Sequence, residues 1–311
     1  MFSQGQLRYF VTVAEEGQIT RAARKLHLAQ PALSQAIAQL EAELDVELLV
    51  RHPRGVTLTS AGEAFLVKAR AVLAAEAETA RVALSLRRAA NASLAVGFIG
   101  PPPTIGTPEV FAAFAQRNPD AQVTYEDLSF PNGDTAAWIA DVDVAVCHAP
   151  RREPGVSVRP LRVEPRAVVL HADHQLARRG ELAVADVLDE TFISYHPQVQ
   201  AEWAGFHTLD DHRGAPPSRL SDDHARTSLQ MLGIMSSGHA ITALPYADAK
   251  LALQVLPSLV AVPLRDAAPA VVSLVWRNDS ANSLLAALLD VASAPVRAGG
   301  LSGVAVGGDD V

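Results

Sequence analysis

Residues 19–44 read ITRAARKLHLAQPALSQAIAQLEAEL, the pattern of two short helices with a tight break between them. Ile19, Ala22, Ala23 and Leu26 recur at helical spacing and give the first segment one apolar face. Residues 27–29 break the pattern. Pro31 then suits the first turn of a new helix, where its missing N–H has no intrahelical partner to lose. Leu33, Ile37, Leu40 and Leu44 line one side of that second helix. The opposite side carries Gln30, Ser34, Gln35 and Gln39, amide and hydroxyl side chains rather than a run of charges. Glutamine can pair with adenine in the major groove, so a core-backed helix with amides near its N-terminus has the build of a recognition helix. The same spacing also fits an ordinary helical hairpin with a polar outer face.

The flanks bear on that choice. Residues 6–15 form a helical pattern with Leu7, Phe10, Val11 and Ala14 inward. Residues 45–60 read as two short extended runs around His52-Pro53-Arg54-Gly55, a hairpin wing whose Arg51 and Arg54 would reach a phosphate or a minor groove. With AA-x-x-LH-x-x-QPALS, then E-x-x-L-x-V-x-L-x-x-R, then LT-x-AG, the N-terminal segment up to residue 66 resembles the winged helix-turn-helix of the LysR-type transcriptional regulators. The resemblance implies double-stranded promoter DNA as partner and carries DNA contact onto Thr20, Arg24, Gln30, Pro31, Ser34, Gln35, Gln39, Arg51 and Arg54. There are two departures from the family pattern. Ala29 stands where the family usually has a capping serine, a loss that typically costs ~1 kcal/mol. Gln35 stands where arginine is frequent, which shifts the expected phosphate grip toward the wing arginines.

Net charge is –8, which at first sight argues against a DNA-binding chain, but it is unevenly spread. Residues 1–90 hold 11 Lys and Arg against 9 Asp and Glu, a balance of +2. The remainder holds 15 against 25, a balance of –10. A surplus of +2 is modest, so two copies are needed to accumulate phosphate contacts. No long apolar run suggests a spanning helix, no signal peptide is read before the first helix, and the single cysteine, Cys147, permits no internal disulfide. These features lead to the expectation of a cytoplasmic protein with no membrane partner.

From residue 60 to about 90 the apolar positions alternate three and four apart, the pattern of one long Ala-rich helix needing a partner. In the family this linker helix pairs two subunits, which implies a homodimer or homotetramer here; packing within its own domain is the alternative. Residues 87–93 are expected to be a hinge. Beyond it strands and helices alternate, which means a parallel sheet with crossover helices. The expected fold class is α/β with an N-terminal all-α winged helix-turn-helix. The expected domains are DNA-binding over 1–60, linker over 61–90 and effector-binding over 91–295, with residues 296–311 a disordered tail. The third domain divides into lobes of 91–155 plus 268–295 and of 156–267, the periplasmic-binding-protein-like arrangement that the resemblance implies.

A cleft between such lobes binds ligands at strand carboxyl ends. The candidate effector contacts are Gly100, Pro101 and Thr104 in the Pro-rich loop after the first strand, Ser129 after the second, and His148 after the third. Ser194 and Tyr195, with Trp203 on the following helix, offer polar tips and an aromatic wall, and Arg226 would neutralise a carboxylate. The effector class is an aromatic or carboxylic acid metabolite, although three prolines remove backbone donors from one wall. Each residue has a plainer reading: turn satisfaction for the serines, core packing for Trp203, a surface histidine at 148, and an ion pair from Arg226 to Asp222 or Asp223.

A Gly-rich phosphate loop, HExxH and GxSxG are absent; His171 and His174 are spaced i, i+3 but follow a strand in a surface turn, and His207 and His212 have no cysteine partners nearby, so neither cofactor, metal site nor enzymatic activity is expected. The reading is therefore a LysR-type DNA-binding transcriptional regulator controlled by a small-molecule effector and contacting RNA polymerase. The alternative is a solute-binding or enzymatic α/β protein with a non-DNA-binding helical domain.

Overall fold

The computed structural model describes residues 2–100, 107–148, 153–293 and 297–298. The chain forms two compact units, Met1–Ala83 and Leu84–Val311. In the first, α1 (Gln4–Glu16) begins at a capping box in which Ser3 and Gln6 satisfy each other's backbone amides, and ends at Gly17 with φ 62°. Helix α2 (Ile19–Lys25) and helix α3 (Gln30–Leu44) follow, then a hairpin of β1 (Leu49–His52) and β2 (Gly55–Leu58). Leu7, Phe10, Ala22, Ala23, Leu33, Ile37 and Leu40 bury their side chains together, so the apolar faces read from the sequence meet in one core. Backbone amides of the wing fasten it to the helices. The Glu41 carboxylate accepts from the amides of Leu48 and Leu49 at 2.8 and 3.0 Å, and the Val56 amide donates to the Gly17 carbonyl at 2.8 Å.

Helix α4 (Ser60–Ala90) is continuous, about 46 Å long at the α-helical rise. Phe65 packs edge-on against Phe10, and Ala69 is buried, but Val67, Val72, Val82 and Leu86 are exposed. Within the expected hinge at 87–93, Arg88 is held to the rest of the second unit. The Arg88 guanidinium donates to the Asp141 carbonyl at 2.7 Å and lies 3.9 Å from the Asp143 carboxylate, which itself accepts from the Ala95 amide.

The second unit holds two sheets. The first contains β3 (Ser93–Phe98), β4 (Gln122–Asp127) and β5 (Val144–His148) in parallel, with α5 (Pro108–Arg117) and α6 (Thr135–Trp138) in the connections. Two antiparallel strands extend it, β6 (Val156–Glu164) and β12 (Ala270–Arg277), and α11 (Ser283–Val291) closes the chain's return. The second sheet has β7 (Arg166–His171) between β10 (Thr242–Pro245) and β11 (Leu259–Pro263). A bridge from Phe192 to Ile241 joins it to β8 (Phe192–Tyr195) and β9 (Leu220–Ala225). Helices α7 (Ala201–Thr208), α8 (Asp210–Arg213), α9 (Ser228–Ser236) and α10 (Tyr246–Val255) belong to this half.

The expected lobe boundary at 156 needs correction. Residues 156–164 pair along the whole of β12 in the first sheet, so the chain crosses only at Pro165 and returns between Pro263 and Ala270. Most of the expected tail lies outside the described residues, but Arg297–Ala298 pair in parallel with β6 as a two-residue strand, β13, and are not a loose end.

Candidate nucleic-acid face and ligand cavity

In the first unit α3 starts at Ala29, which has the extended backbone of an N-cap but supplies no side-chain bond. Its first-turn amides are therefore left for another acceptor. Burial of Leu33, Ile37 and Leu40 turns Gln30, Pro31, Gln35 and Gln39 to solvent, with Ser34 half-buried. Gln30 Nε2 donates to Ser34 Oγ at 3.3 Å and Gln39 Nε2 to Glu43 Oε1 at 3.3 Å, which pre-orients the amides along the helix. Thr20 and Arg24 are exposed on α2, and Thr20 shares a groove with Arg51 and Arg54 of the wing. Among the described residues neither wing arginine has an ion-pair partner, in contrast with Lys25, which Glu16 holds at 2.9 Å. A Cβ on Gly55 would lie 2.3 Å from the Gly17 carbonyl oxygen, so a glycine is what lets the wing lie against the start of α2. Amide readers on a rigid helix beside unpaired guanidinium groups can make base-edge and phosphate contacts together.

The second unit encloses a cavity of about 290 Å³ where β3, β4 and β5 end against α7, α9 and α10. The first sheet contributes Ile99, Gly100, Asp127, Phe130 and His148; the second half contributes Trp203, His207, Met231, Leu232, Leu244 and Asp248, among others. The Phe130 and Trp203 rings lie 4.4 Å apart between centroids and form an aromatic wall, with Tyr195 edge-on behind Trp203. A polar chain crosses the wall. His207 Nδ1 lies 2.8 Å from the Ala243 carbonyl, and His207 Nε2 lies 2.9 Å from His148 Nε2. Asp248 Oδ2 stands 3.8 Å from His148 Nδ1.

Burial, aided by the nearby charge of Arg166, pushes the His148 pKa down to about 3, and the same desolvation with His148 alongside holds His207 well below the usual histidine range. Burial, with the Glu164 charge adding to it, raises Asp248 to about 8. All three groups are thus uncharged near neutral pH. Cys147 is buried beside this chain with its thiol pushed up to about 12, so it carries no thiolate reactivity.

Of the residues singled out in the sequence, Gly100, His148 and Trp203 line the cavity. Tyr195 backs it, with its hydroxyl 3.1 Å from Thr242 Oγ1. Pro101 and Thr104 lie outside the described residues. Three do not reach the cavity lining. Ser129 is exposed and its carbonyl accepts from Trp138 Nε1. Ser194 Oγ is held by His224 Nδ1 at 2.6 Å. Arg226 is exposed and meets the His196 ring rather than Asp222 or Asp223. His148 is buried, not a surface histidine, and Trp203 is both core and lining. Sequence reasoning missed His207 as a lining residue and passed over Asp248 altogether. The one signal for Asp248 was a carboxylate set among the small apolar residues of YADAKLAL.

Residues 5–63 match the family model described as bacterial regulatory helix-turn-helix protein, lysR family, and residues 87–294 match the LysR substrate binding domain. The chain is 37% identical over 191 residues to the Hca operon transcriptional activator HcaR of Escherichia coli strain K12, an alignment covering 61% of this chain and 64% of that protein. It is 31% identical over 298 residues to the HTH-type transcriptional regulator TfdS of Cupriavidus pinatubonensis, covering 92% of this chain and 96% of that one. Among solved structures it is similar in fold to CbnR, described as a LysR family transcriptional regulator, with a TM-score of 0.56 at 23% identity over 94% of this chain and 98% of that chain.

Proposed function

The chain belongs to the LysR family of bacterial regulators, and from that premise we propose a one-component transcription factor that reads promoter DNA through α3 and senses a small molecule in the cavity of its second unit. The carrying observation is the solvent-facing amide row of α3, backed by Leu33, Ile37 and Leu40 and accompanied by wing arginines that have no ion-pair partner among the described residues. The uncapped start of α3 leaves amides that favour a phosphate. Exposed apolar residues on α4 support pairing of two subunits, and two such pairs make a tetramer over neighbouring operator sites. The protein acts by binding in the cytoplasm rather than by catalysis, and its output is a changed contact with RNA polymerase. Relatives named as transcriptional regulators support that part of the reading.

An effector works only through unequal affinity for two arrangements of the chain, so closure of the cavity around it is the event that reports its presence. Fluorescence anisotropy of the purified chain on a duplex from its own upstream region tests the proposal. Specific binding that weakens steeply between low and moderate salt is expected. No duplex affinity at low ionic strength, with intact dimer in the cell, overturns it and favours a solute-binding α/β protein.

A further inference from the structure

The cavity's polar groups can be read for the kind of molecule they fit, an inference that rests on its being the effector site. The carbonyl of Ala243 can only accept, so His207 carries its proton on Nδ1 and presents a bare Nε2. His148 must then donate from Nε2 to His207, which leaves His148 Nδ1 as a lone pair on the Asp248 side. At 3.8 Å Asp248 is too far to fill that lone pair with a hydrogen bond. On the aromatic wall the opposite deficit exists. Trp203 is 1% exposed, and its Nε1–H has no acceptor among the described residues. A buried donor left in this state costs about 1–3 kcal/mol until something accepts from it.

Among the described residues His148 Nδ1 is thus an unfilled acceptor and Trp203 Nε1 an unfilled donor on a largely apolar lining that also holds Ser228, Asp127 and Asp248. Charge narrows the choice further. The described lining residues include two carboxyl groups, Asp127 and Asp248, and neither lysine nor arginine. Arg166, the cation felt at both histidines, is fully buried and already held by Asp211 at 2.7 Å and the Phe206 carbonyl at 2.8 Å. The first turn of α9 also opens here, but its Gln230 amide is capped by Thr227 Oγ1. Among the described lining residues an anion would therefore meet no lysine or arginine, with the Asp127 carboxyl alongside and Asp248 protonated near neutral pH.

We propose that the cavity takes an uncharged, single-ring aromatic compound bearing hydroxyl groups, of phenol or catechol type, rather than a carboxylate. A hydroxyl donates to His148 Nδ1 and accepts from Trp203 Nε1, while the ring packs on Phe130 and Trp203. The volume, at the lower end of the range for small-molecule pockets, suits one ring.

Isothermal titration of the full-length chain at pH 7 with catechol, phenol, benzoate and benzylamine decides it. Catechol or phenol is expected to bind at least tenfold more tightly than benzoate. Trp203→Phe, which keeps an aromatic face but removes the orphan donor together with part of the indole, is expected to weaken catechol about tenfold, and His148→Gln, which leaves the indole in place, to weaken it similarly, with thermal unfolding confirming that each variant is folded. Leu232→Trp, which fills the cavity, is expected to abolish the heat of binding. Benzoate or benzylamine as the tightest ligand, blocked by Leu232→Trp, overturns the hydroxyl assignment and leaves the cavity as the effector site. Binding that ignores Leu232→Trp, or none from the whole panel, overturns the cavity reading itself.

Discussion

Asp248 and His148 pull the stability of the second unit in opposite directions with pH, and the sign of each follows from where its proton resides. Asp248 keeps its proton in the folded chain up to about 8 but loses it near 3.8 once unfolded. Unfolding in that window releases a proton, so stability falls as pH rises through it and levels off above about 8. His148, neutral in the fold down to about 3, takes up a proton on unfolding below 6.5, so stability falls as pH drops from there. Between pH 6.5 and 8 the Asp248 slope acts unopposed by the histidines. The urea midpoint of the wild type is expected to decline across that interval, and Asp248→Asn to flatten most of the decline; parallel curves would count against the buried, protonated carboxyl.

At the DNA-facing unit Arg54→Ala is expected to weaken operator affinity and to reduce the slope of log affinity against log salt by about 0.9 for each phosphate the arginine neutralises. Anisotropy titrations at several salt concentrations measure both, and unchanged affinity would remove the wing from the contact surface. These two sites differ in how far the sequence reveals them. Gln30, Gln35 and Gln39 face outward because a periodic apolar set occupies the other side, which one helix's sequence records. Asp248 matters because β5 and α7 bring His148 and His207 to it, and nothing local to residue 248 records that.

Two elements test why the first unit holds its shape. Ala29 already has the N-cap backbone, φ –69° and ψ 134°, without the oxygen that would cap α3. Ala29→Ser is expected to stabilise the fold by about 0.5–2 kcal/mol, read as a higher denaturation midpoint. If the introduced hydroxyl also contacts a phosphate, affinity rises with it. Gly62 is the reverse case. A Cβ there would stand 2.1 Å from the Leu48 carbonyl oxygen, on the backbone where α4 meets the wing. Gly62→Ala is expected to cost about 1–3 kcal/mol through overpacking and to loosen the hairpin, seen as a lower midpoint and weaker DNA binding.

Elements with their own periodicity were legible: α1, α2, α3 and α4 stand where the spacing predicts them, within a few residues. Besides the two-residue β13, three strands were not. Residues 156–164 carry Pro160 and two arginines and pair through an irregularity near Pro160. Leu220–Ala225 is an edge strand of largely polar residues, LSDDHA, with no buried face to set an alternation. Leu259–Pro263 is a short apolar run ending in proline, equally readable as a loop. In each the strand exists because a neighbour pairs with it, which is tertiary information.

For the whole molecule the governing quantity is charge against number of copies. The chain carries –8 overall and only +2 in its first 90 residues, too little for one copy to hold a duplex against moderate salt. Joining two copies doubles the phosphate contacts and makes the second reading helix's binding intramolecular, which raises affinity without any new contact type. The segment available for joining them is α4, which leaves Val82 39% and Leu86 54% exposed, a cost in exposed apolar area that a partner helix would recover. Placing carboxylates there, as Val82→Asp with Leu86→Asp, would bury two charges in any such seam while touching neither the wing core nor the cavity lining. The double variant is expected to sediment as a monomer and to lose at least a hundredfold in operator affinity, with roughly half the salt slope. Its heat of ligand binding should be retained, since the cavity lies within one chain. A variant that remains dimeric, or a monomer that binds DNA as the wild type does, would separate α4 from assembly and leave the weak positive balance of the first unit to be explained by another surface.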